Sequence, residues 1–362
     1  MNKKNKTVLV AMSGGVDSSV ALIKVLEMGY NAIGITLKLW ENIDKKTNKV
    51  IDSDCNSLDA VNGAKLVCDR LGVHHYTLDF INLFKEKVVK DFSEEYFSGK
   101  TPNPCIRCNS LVKWDALINQ LNIFDADMIA TGHYARIKFD NNDFSLCKGL
   151  DVSKDQSYML WQIKKEYLEK TLLPLGDLTK KEVRKIALEN NLENAKRDES
   201  MDLCFVVDND YKQFLTDFVP DKIKNIPEGV ILDENDKEVG IHSGYMNYTI
   251  GQRRGLGLSF PEPRYVKKIL PKDNKIIVSK KDGLFSKIAK VKNINWLNEI
   301  DSFPFLCKAR IRYNSIGAQA TLNNKNDKIT CIFDEPQLAI TPGQSIVFYK
   351  NDKIIGGGII EK

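Results

Sequence analysis

Ser13-Gly14-Gly15-Val16-Asp17-Ser18 is a stretch whose residue types and spacing suit chemistry at a phosphate. Two adjacent glycines let backbone amides come close to an anion, and Ser13, Ser18 and Ser19 add hydroxyl donors. Asp17 is out of place in a bare anion site; a carboxylate beside phosphates makes sense if it holds Mg2+ or orients the loop. The stretch lacks the Gly-Lys-Ser/Thr ending of a Walker A loop and the third glycine of a dinucleotide fingerprint. The plain alternative is a Gly-Gly turn with Ser18 capping the helix that follows. Thiols form the second set. Cys105 and Cys108 make a Cys-x-x-Cys, and Cys204 follows roughly a hundred residues later. A lone Cys-x-x-Cys suits a redox pair, half a zinc site, iron–sulfur ligation or no chemistry at all. A complete zinc site needs four ligands, and the sequence has no second Cys-x-x-Cys.

The elements that must position these residues follow from periodicity. Thr7 to Met12 is an apolar run that reads as a buried strand, and Ser19 to Leu26 has helical spacing. Strands are predicted at 31–39, 75–80 and 128–131, and helices at 58–71, 83–97 and 111–121. Alternation of this kind predicts an α/β, Rossmann-like domain with a parallel sheet, whose ligands gather at the carboxyl ends of the strands. Ser13–Ser18 lies at one such end and Gly132-His133-Tyr134 at another. From Gly99 to Ser110, two prolines and polar residues predict a loop and no helix. A hairpin from Ala135 to Leu146 turns at 140–143, and a helix over 178–190 opens with a Thr179/Glu182 capping box. Ala195 to Cys204 reads as a loop and Tyr211 to Phe218 as a short helix. After Pro220, short strands with turn signals, including 308–313, 328–333 and 345–349, predict a small barrel or sandwich. The division expected is a catalytic domain over 1–205, a small linking domain over 206–270 and a C-terminal β-domain over 271–362.

Composition bounds the rest. The 362 residues are 43% hydrophobic and 28% charged, enough for two or three domains with ample core. A net charge of +5 leans only weakly toward a nucleic-acid partner. No apolar run approaches membrane-spanning length, and the residues before the first strand predict neither an export signal nor a transit peptide. Eight cysteines in a chain expected to be cytoplasmic argue for thiol, redox or metal chemistry over a disulfide scaffold. Cys55, Cys68, Cys147, Cys307 and Cys331 read as core or incidental thiols.

The six-residue loop resembles the signature of the PP-loop ATP pyrophosphatases, which split ATP into AMP and pyrophosphate. The order SGGVDS, KLWEN, TPNPCIRCN, ATGHYAR, KDQSYML, DLCFV, TIGQRRGLG and FDEPQLAITPGQSIVFY is similar, nearly end to end, to the tRNA-specific 2-thiouridylases. That resemblance implies ATP binding by Ala11, Met12, Ser13, Gly14, Gly15, Val16, Asp17 and Ser18, with Leu37 and Gly132 at the nucleotide. It implies contact of Asn103, Pro104 and Cys105 with the target base, Cys108 as nucleophile and Cys204 as persulfide carrier. His133, Lys154, Asp155, Gln156, Arg312, Tyr313 and Gln344 would contact tRNA. A cysteine desulfurase or sulfur-relay protein would donate sulfur, and no membrane is involved. Ala11 stands where many relatives have Gly, and Cys105 where some have Asp. Three thiols, Cys105, Cys108 and Cys204, also match the count for a 4Fe–4S cluster with one open iron. Rival readings are another PP-loop enzyme, such as a tRNA lysidine synthetase, and a tRNA-binding iron–sulfur module without turnover. The first has no use for the thiols; the second would release no AMP.

Overall fold

The computed structural model describes residues 6–43, 50–51, 58–196 and 203–361. Cys55 and part of the predicted 195–204 loop, Asp202 of DLCFV included, lie outside the described residues. Two compact units emerge, one of residues 1–88, 105–209 and 352–354, the other of 89–104, 210–351 and 355–362.

The first unit is built on β1 (Thr7–Ala11), α1 (Val16–Glu27), β2 (Asn31–Lys38), α2 (Leu58–Arg70) and β3 (His74–Asp79). Further along come α3 (Pro104–Cys108, whose first residue alone falls in the second unit), β4 (Met128–Ala130), a hairpin of β5 (Ala135–Asp140) and β6 (Asp143–Lys148), β7 (Thr171–Leu172) and α4 (Lys180–Glu189). The five-stranded sheet has the order β3-β2-β1-β4-β7, and its pairings are parallel. Strand order reverses at β1, so the loop after β1 opens into the crevice where open α/β sheets take ligands. Val8, Val10, Val20, Leu22, Ala64 and Ala130 are fully buried there, joined by Val183 and Ala187 from α4. The hairpin turns on Asn141 and Asn142, both at positive φ, as a two-residue turn between twisted strands requires.

The second unit carries α5 (Tyr211–Phe218) and a four-stranded sheet of β8 (Gly229–Leu232), β9 (Glu238–His242), β10 (Tyr265–Leu270) and β11 (Lys275–Ser279), ordered β9-β8-β11-β10. Its remainder is a six-stranded barrel. The strands are β12 (Phe285–Trp296), β13 (Phe305–Arg310), β14 (Ala318–Lys325), β15 (Lys328–Leu338), β16 (Ser345–Lys350) and β17 (Lys353–Ile360). They run β12-β15-β14-β13-β16-β17, and β12 pairs with β17 to close the ring. Leu322, Cys331, Ile346, Phe348 and Ile360 fill it. The helix Lys90–Phe97 packs onto this unit through Tyr96, stacked on Tyr211 at 4.7 Å, and Phe92, edge-on to Phe214.

Three expectations need correction. The stretch around the Cys-x-x-Cys is helical from Pro104, and π and α turns carry the helix on to Gln120. Proline is at home in a first helical turn, where its missing N–H would have no partner anyway, so it starts this helix. Ser18 is no cap: α1 begins at Val16 with Gly15 at the cap position, and Ser18 Oγ donates to the Gly15 carbonyl from inside the first turn. The strand expected over 308–313 ends at Arg310, which leaves Arg312 and Tyr313 in a turn.

The predicted capping box is present in full: Thr179 Oγ accepts from the Glu182 amide, and Glu182 accepts from the Thr179 amide at 2.7 Å. Thr179→Ala should cost about 1 kcal/mol of stability, read as a lowered urea midpoint; an unchanged midpoint would mean the cap contributes nothing.

Candidate active site

The loop after β1 is shaped by what touches it. Met12 is buried and its carbonyl accepts from Thr36 Oγ at 2.8 Å, which fixes the strand end. Gly14 has φ +76°, and a Cβ there would lie 2.2 Å from the Ala60 carbonyl oxygen of α2, so only glycine fits. The Ser13 amide donates to Ser18 Oγ at 3.2 Å, which folds the loop over the start of α1. Gly132, after β4, lets that strand end lie directly on the first turn of α1: a Cβ would sit 2.8 Å from the Asp17 carbonyl carbon and 2.9 Å from the Ser18 nitrogen.

Asp17 is the electrostatic centre. Lys180, the first residue of α4, donates to both carboxylate oxygens at 2.7 and 2.9 Å, and Tyr134 Oη donates to Oδ1 at 2.8 Å. Tyr134 is in turn held by Gln156: its amide donates to Gln156 Oε1 at 2.9 Å, and its carbonyl accepts from the Gln156 amide at 2.8 Å. Asp155 is buried, with Oδ1 accepting from the Gly149 and Ser157 amides. The SGGVDS, ATGHYAR and KDQSYML segments are therefore one hydrogen-bonded body. Asp155 and Gln156 commit polar atoms to holding it together, while Lys154, half-buried, stands at its rim.

His133 packs on Trp114, ring centroids 5.4 Å apart, with Nδ1 2.8 Å from Thr131 Oγ1. Burial, and secondarily the nearby Lys113 charge, pushes its pKa down to about 3. A neutral ring at this strand end exchanges hydrogen bonds; it does not pair with phosphates as a cation. Leu37, near the end of β2, is half-buried opposite Leu78 of β3.

The thiols fall into two groups. Cys68, Cys147, Cys307 and Cys331 are buried in a helix and three strands, as expected of core thiols. Burial pushes Cys68 up to about 11 and Cys307 up to about 12, which keeps them protonated and inert. Cys105 is exposed and Cys108 is buried in the first turn of the Pro104 helix, which Asn109 Nδ2 ties to the Met159 carbonyl at 3.1 Å. Cys204 is half-buried beside Phe205, whose ring packs edge-on against Trp40 and Phe84 at 6.0 and 5.6 Å. Trp40, in the KLWEN segment, thus anchors the end of the Cys204 loop. Among the described residues no group of three or more His, Cys, Asp or Glu is gathered to hold a metal.

In the second unit, Arg312 donates to the Leu338 and Ala339 carbonyls, and Gln344 Nε2 to the Thr101 carbonyl at 2.8 Å. Both line a cavity of about 270 Å³ with Thr249, Gly251, Tyr265 and Lys281. Tyr313 follows Arg312 in the turn, its carbonyl accepting from Arg310. Asn103 and Pro104 belong to this unit by their packing.

Sequence reasoning missed Lys180, Tyr134 and Asn194. Asn194 Nδ2 donates to the Gly14 carbonyl and to Ser19 Oγ at 2.9 and 3.0 Å, which pins the loop from a segment 180 positions away. The strand end before Tyr134 was the available signal for it; nothing local marks Asn194.

Residues 6–208 match the family described as tRNA methyl transferase HUP domain, residues 212–280 the tRNA methyl transferase PRC-barrel domain, and residues 286–360 the aminomethyltransferase beta-barrel domain. The chain is 45% identical to the tRNA-specific 2-thiouridylase MnmA of Carboxydothermus hydrogenoformans over 99% of this chain and 98% of that one. It is 45% identical to the same enzyme of Natranaerobius thermophilus, covering 98% and 97%. With that of Clostridioides difficile it shares 42%, covering 99% of each.

His133 carries a pH signature. Its folded pKa lies below the unfolded value of roughly 6.5, so between about pH 3 and about pH 6.5 the unfolded chain binds the extra proton. The stability contributed by the neutral ring is full above this window and is lost as pH falls through it. His133→Gln should therefore lose less stability than the wild type between about pH 7 and about pH 4.5 in urea titrations; parallel losses would show that the ring is not held neutral.

Proposed function

The chain belongs to the tRNA-specific 2-thiouridylase family, and from that premise we propose that it replaces the 2-oxygen of the wobble uridine of tRNA by sulfur, driven by ATP. The observation that carries the reading is the Ser13–Ser18 loop at the carboxyl end of β1, where the sheet order reverses, with Asp17 fixed at its centre. Amides and hydroxyls of this loop, at the start of a twelve-residue helix, suit the polyphosphate. Leu37 and Gly132 flank the nucleotide in this reading, at neighbouring strand ends.

An amide-like carbonyl oxygen is a poor leaving group. Attack by the uridine O2 on the α-phosphate forms an O2–AMP bond and expels pyrophosphate, so that AMP can leave later. The terminal sulfur of a Cys204 persulfide attacks C2 and displaces AMP. The Cys108 thiolate then attacks Cys204 Sγ, freeing the 2-thiocarbonyl and leaving a Cys108–Cys204 disulfide for an external thiol to reduce. Burial of Cys108 and half-exposure of Cys204 suit a resolving and a loading thiol respectively. If Mg2+ accompanies ATP, Asp17 is the carboxylate that would hold it, beside the Lys180 ammonium already bonded there, and the ion would supply positive charge that eases pyrophosphate departure. A 4Fe–4S cluster asks for three thiolates turned to one point, and the described side chains offer no such group. The target base meets Asn103, Pro104 and Cys105, while His133, Lys154, Asp155, Gln156, Arg312, Tyr313 and Gln344 meet tRNA, as the resemblance implies. The substrates are the tRNAs for Lys, Glu and Gln, the sulfur donor is a desulfurase or relay protein, and the compartment is the cytoplasm. No helix among the described residues is long and apolar enough to cross a membrane.

Mass spectrometry of tRNA nucleosides after incubation with ATP and a persulfide donor tests the reading. Cys108→Ser and Cys204→Ser should yield no 2-thiouridine, and Asp17→Ala should lose AMP release while still binding tRNA. Aerobic, iron-free Cys105→Ser should still thiolate. Activity confined to anaerobic, iron-loaded wild type would establish the cluster route instead, and tRNA binding without AMP release would leave only a binding module.

A further inference from the structure

Lys180 is not required by the helix it begins. The cap needs Thr179 and Glu182, and the core needs Val183 and Ala187. Yet the Lys180 side chain is only 12% exposed, and its ammonium bonds both oxygens of Asp17. It also lies 5.6 Å from the ring centroid of Tyr134, which donates to the same carboxylate.

Asp17 is the second residue of α1, within the turn whose amides face an incoming anion. An uncompensated carboxylate there would repel a polyphosphate that those amides attract. Paired with Lys180, it is neutralised, and the ammonium is fixed at the same turn. An ammonium has three donor protons, so it can bridge a carboxylate and a phosphate at once. Building on the assignment of the Ser13–Ser18 loop to ATP, we propose that Lys180 is the phosphate-contacting cation of this site. When ATP arrives, the ammonium is shared between Asp17 and a non-bridging phosphate oxygen. As the uridine O2 bonds to the α-phosphorus, the bond from that phosphorus to its bridging oxygen breaks, and the electron pair leaves on the pyrophosphate beside Lys180. No proton is transferred in this step. Tyr134 keeps Asp17 in place while the ammonium is shared.

The competing role is a clamp that acts only through Asp17. A double-mutant cycle of Lys180→Met and Asp17→Asn separates the two, read by AMP release on adding tRNA and by the affinity for α,β-methylene-ATP. Lys180→Met alone should slow AMP release about 100-fold with tRNA affinity unchanged, and Lys180→Arg should recover part of that rate. The decisive comparison is the double variant against Asp17→Asn, because neither carries a lone carboxylate at the loop; Asp17→Asn does leave the Lys180 ammonium without its carboxylate, so the urea midpoints of both proteins are measured alongside to show that each is folded. The double variant should bind α,β-methylene-ATP about tenfold more weakly. Equal affinities for those two proteins, or a wild-type rate in Lys180→Met, would overturn the assignment. Should the wild type release AMP yet bind α,β-methylene-ATP equally well after Gly14→Val, the loop is not the ATP site, and the inference falls together with that reading.

Discussion

One carboxylate, that of Asp17, sets the geometry around it. A charge at the head of a helix, two-thirds removed from solvent, has to be compensated, and the fold compensates it from two distant places at once. Lys180 comes from the start of α4 and Tyr134 from the residue just before β5, so the carboxylate fixes where two elements begin relative to a third. Local restraints add to this. The capping box sets the direction of α4, and Gly132 lets the end of β4 sit on α1 without a Cβ between them. Through Gln156 the same carboxylate reaches the polar loop after the hairpin. The result is a braced support beneath the loop, which suits a ligand that must be held in line for displacement.

The cysteines show how one residue type is sorted by its surroundings. Four thiols are enclosed in apolar cores, and burial pushes their pKa values upward. Cys105 and Cys108 lie in the short helix that Pro104 starts, and Cys204 precedes Phe205, one corner of an aromatic triangle with Trp40 and Phe84. A reactive thiol needs access, which Cys105 and Cys204 have; Cys108 is buried like the core thiols and differs from them by its place near a helix start. The division expected from the sequence thus recurs in the fold for the four described core thiols.

Elements with local rules were legible in the sequence. The strand, glycine loop and helix at the front, the hairpin expected over 135–146 and found over 135–148, the Thr179 box and the 211–218 helix were all set by patterns within a few residues. Where two local signals compete, the pattern misleads: the prolines near Cys105 predict a break, although one of them sits where a helix accepts proline. Contacts across long chain separations left no trace. Lys180 and Asp17 are 163 positions apart, and a lysine beside a capping threonine looks like any solvated helix start. The resemblance assigned Arg312 and Gln344 to tRNA, but it gave no hint that both donate to backbone carbonyls and shape a cavity wall.

The barrel's closure has a bearing on how the chain behaves in a crowd. β12 is twelve residues long and shifts register between Lys292 and Asn295, which lets it bend from β15 at one end to β17 at the other. Every strand of the ring is thereby paired on both sides. Leu306 and Ile332 point outward from two of these strands, 75% and 39% exposed, the kind of side chain that on an open sheet would invite a second copy to add its own strand. Here no unsatisfied ladder lies beside them, so such an encounter would offer side-chain contact without backbone hydrogen bonds. The barrel can therefore keep apolar side chains on its outside without setting an open strand edge beside them.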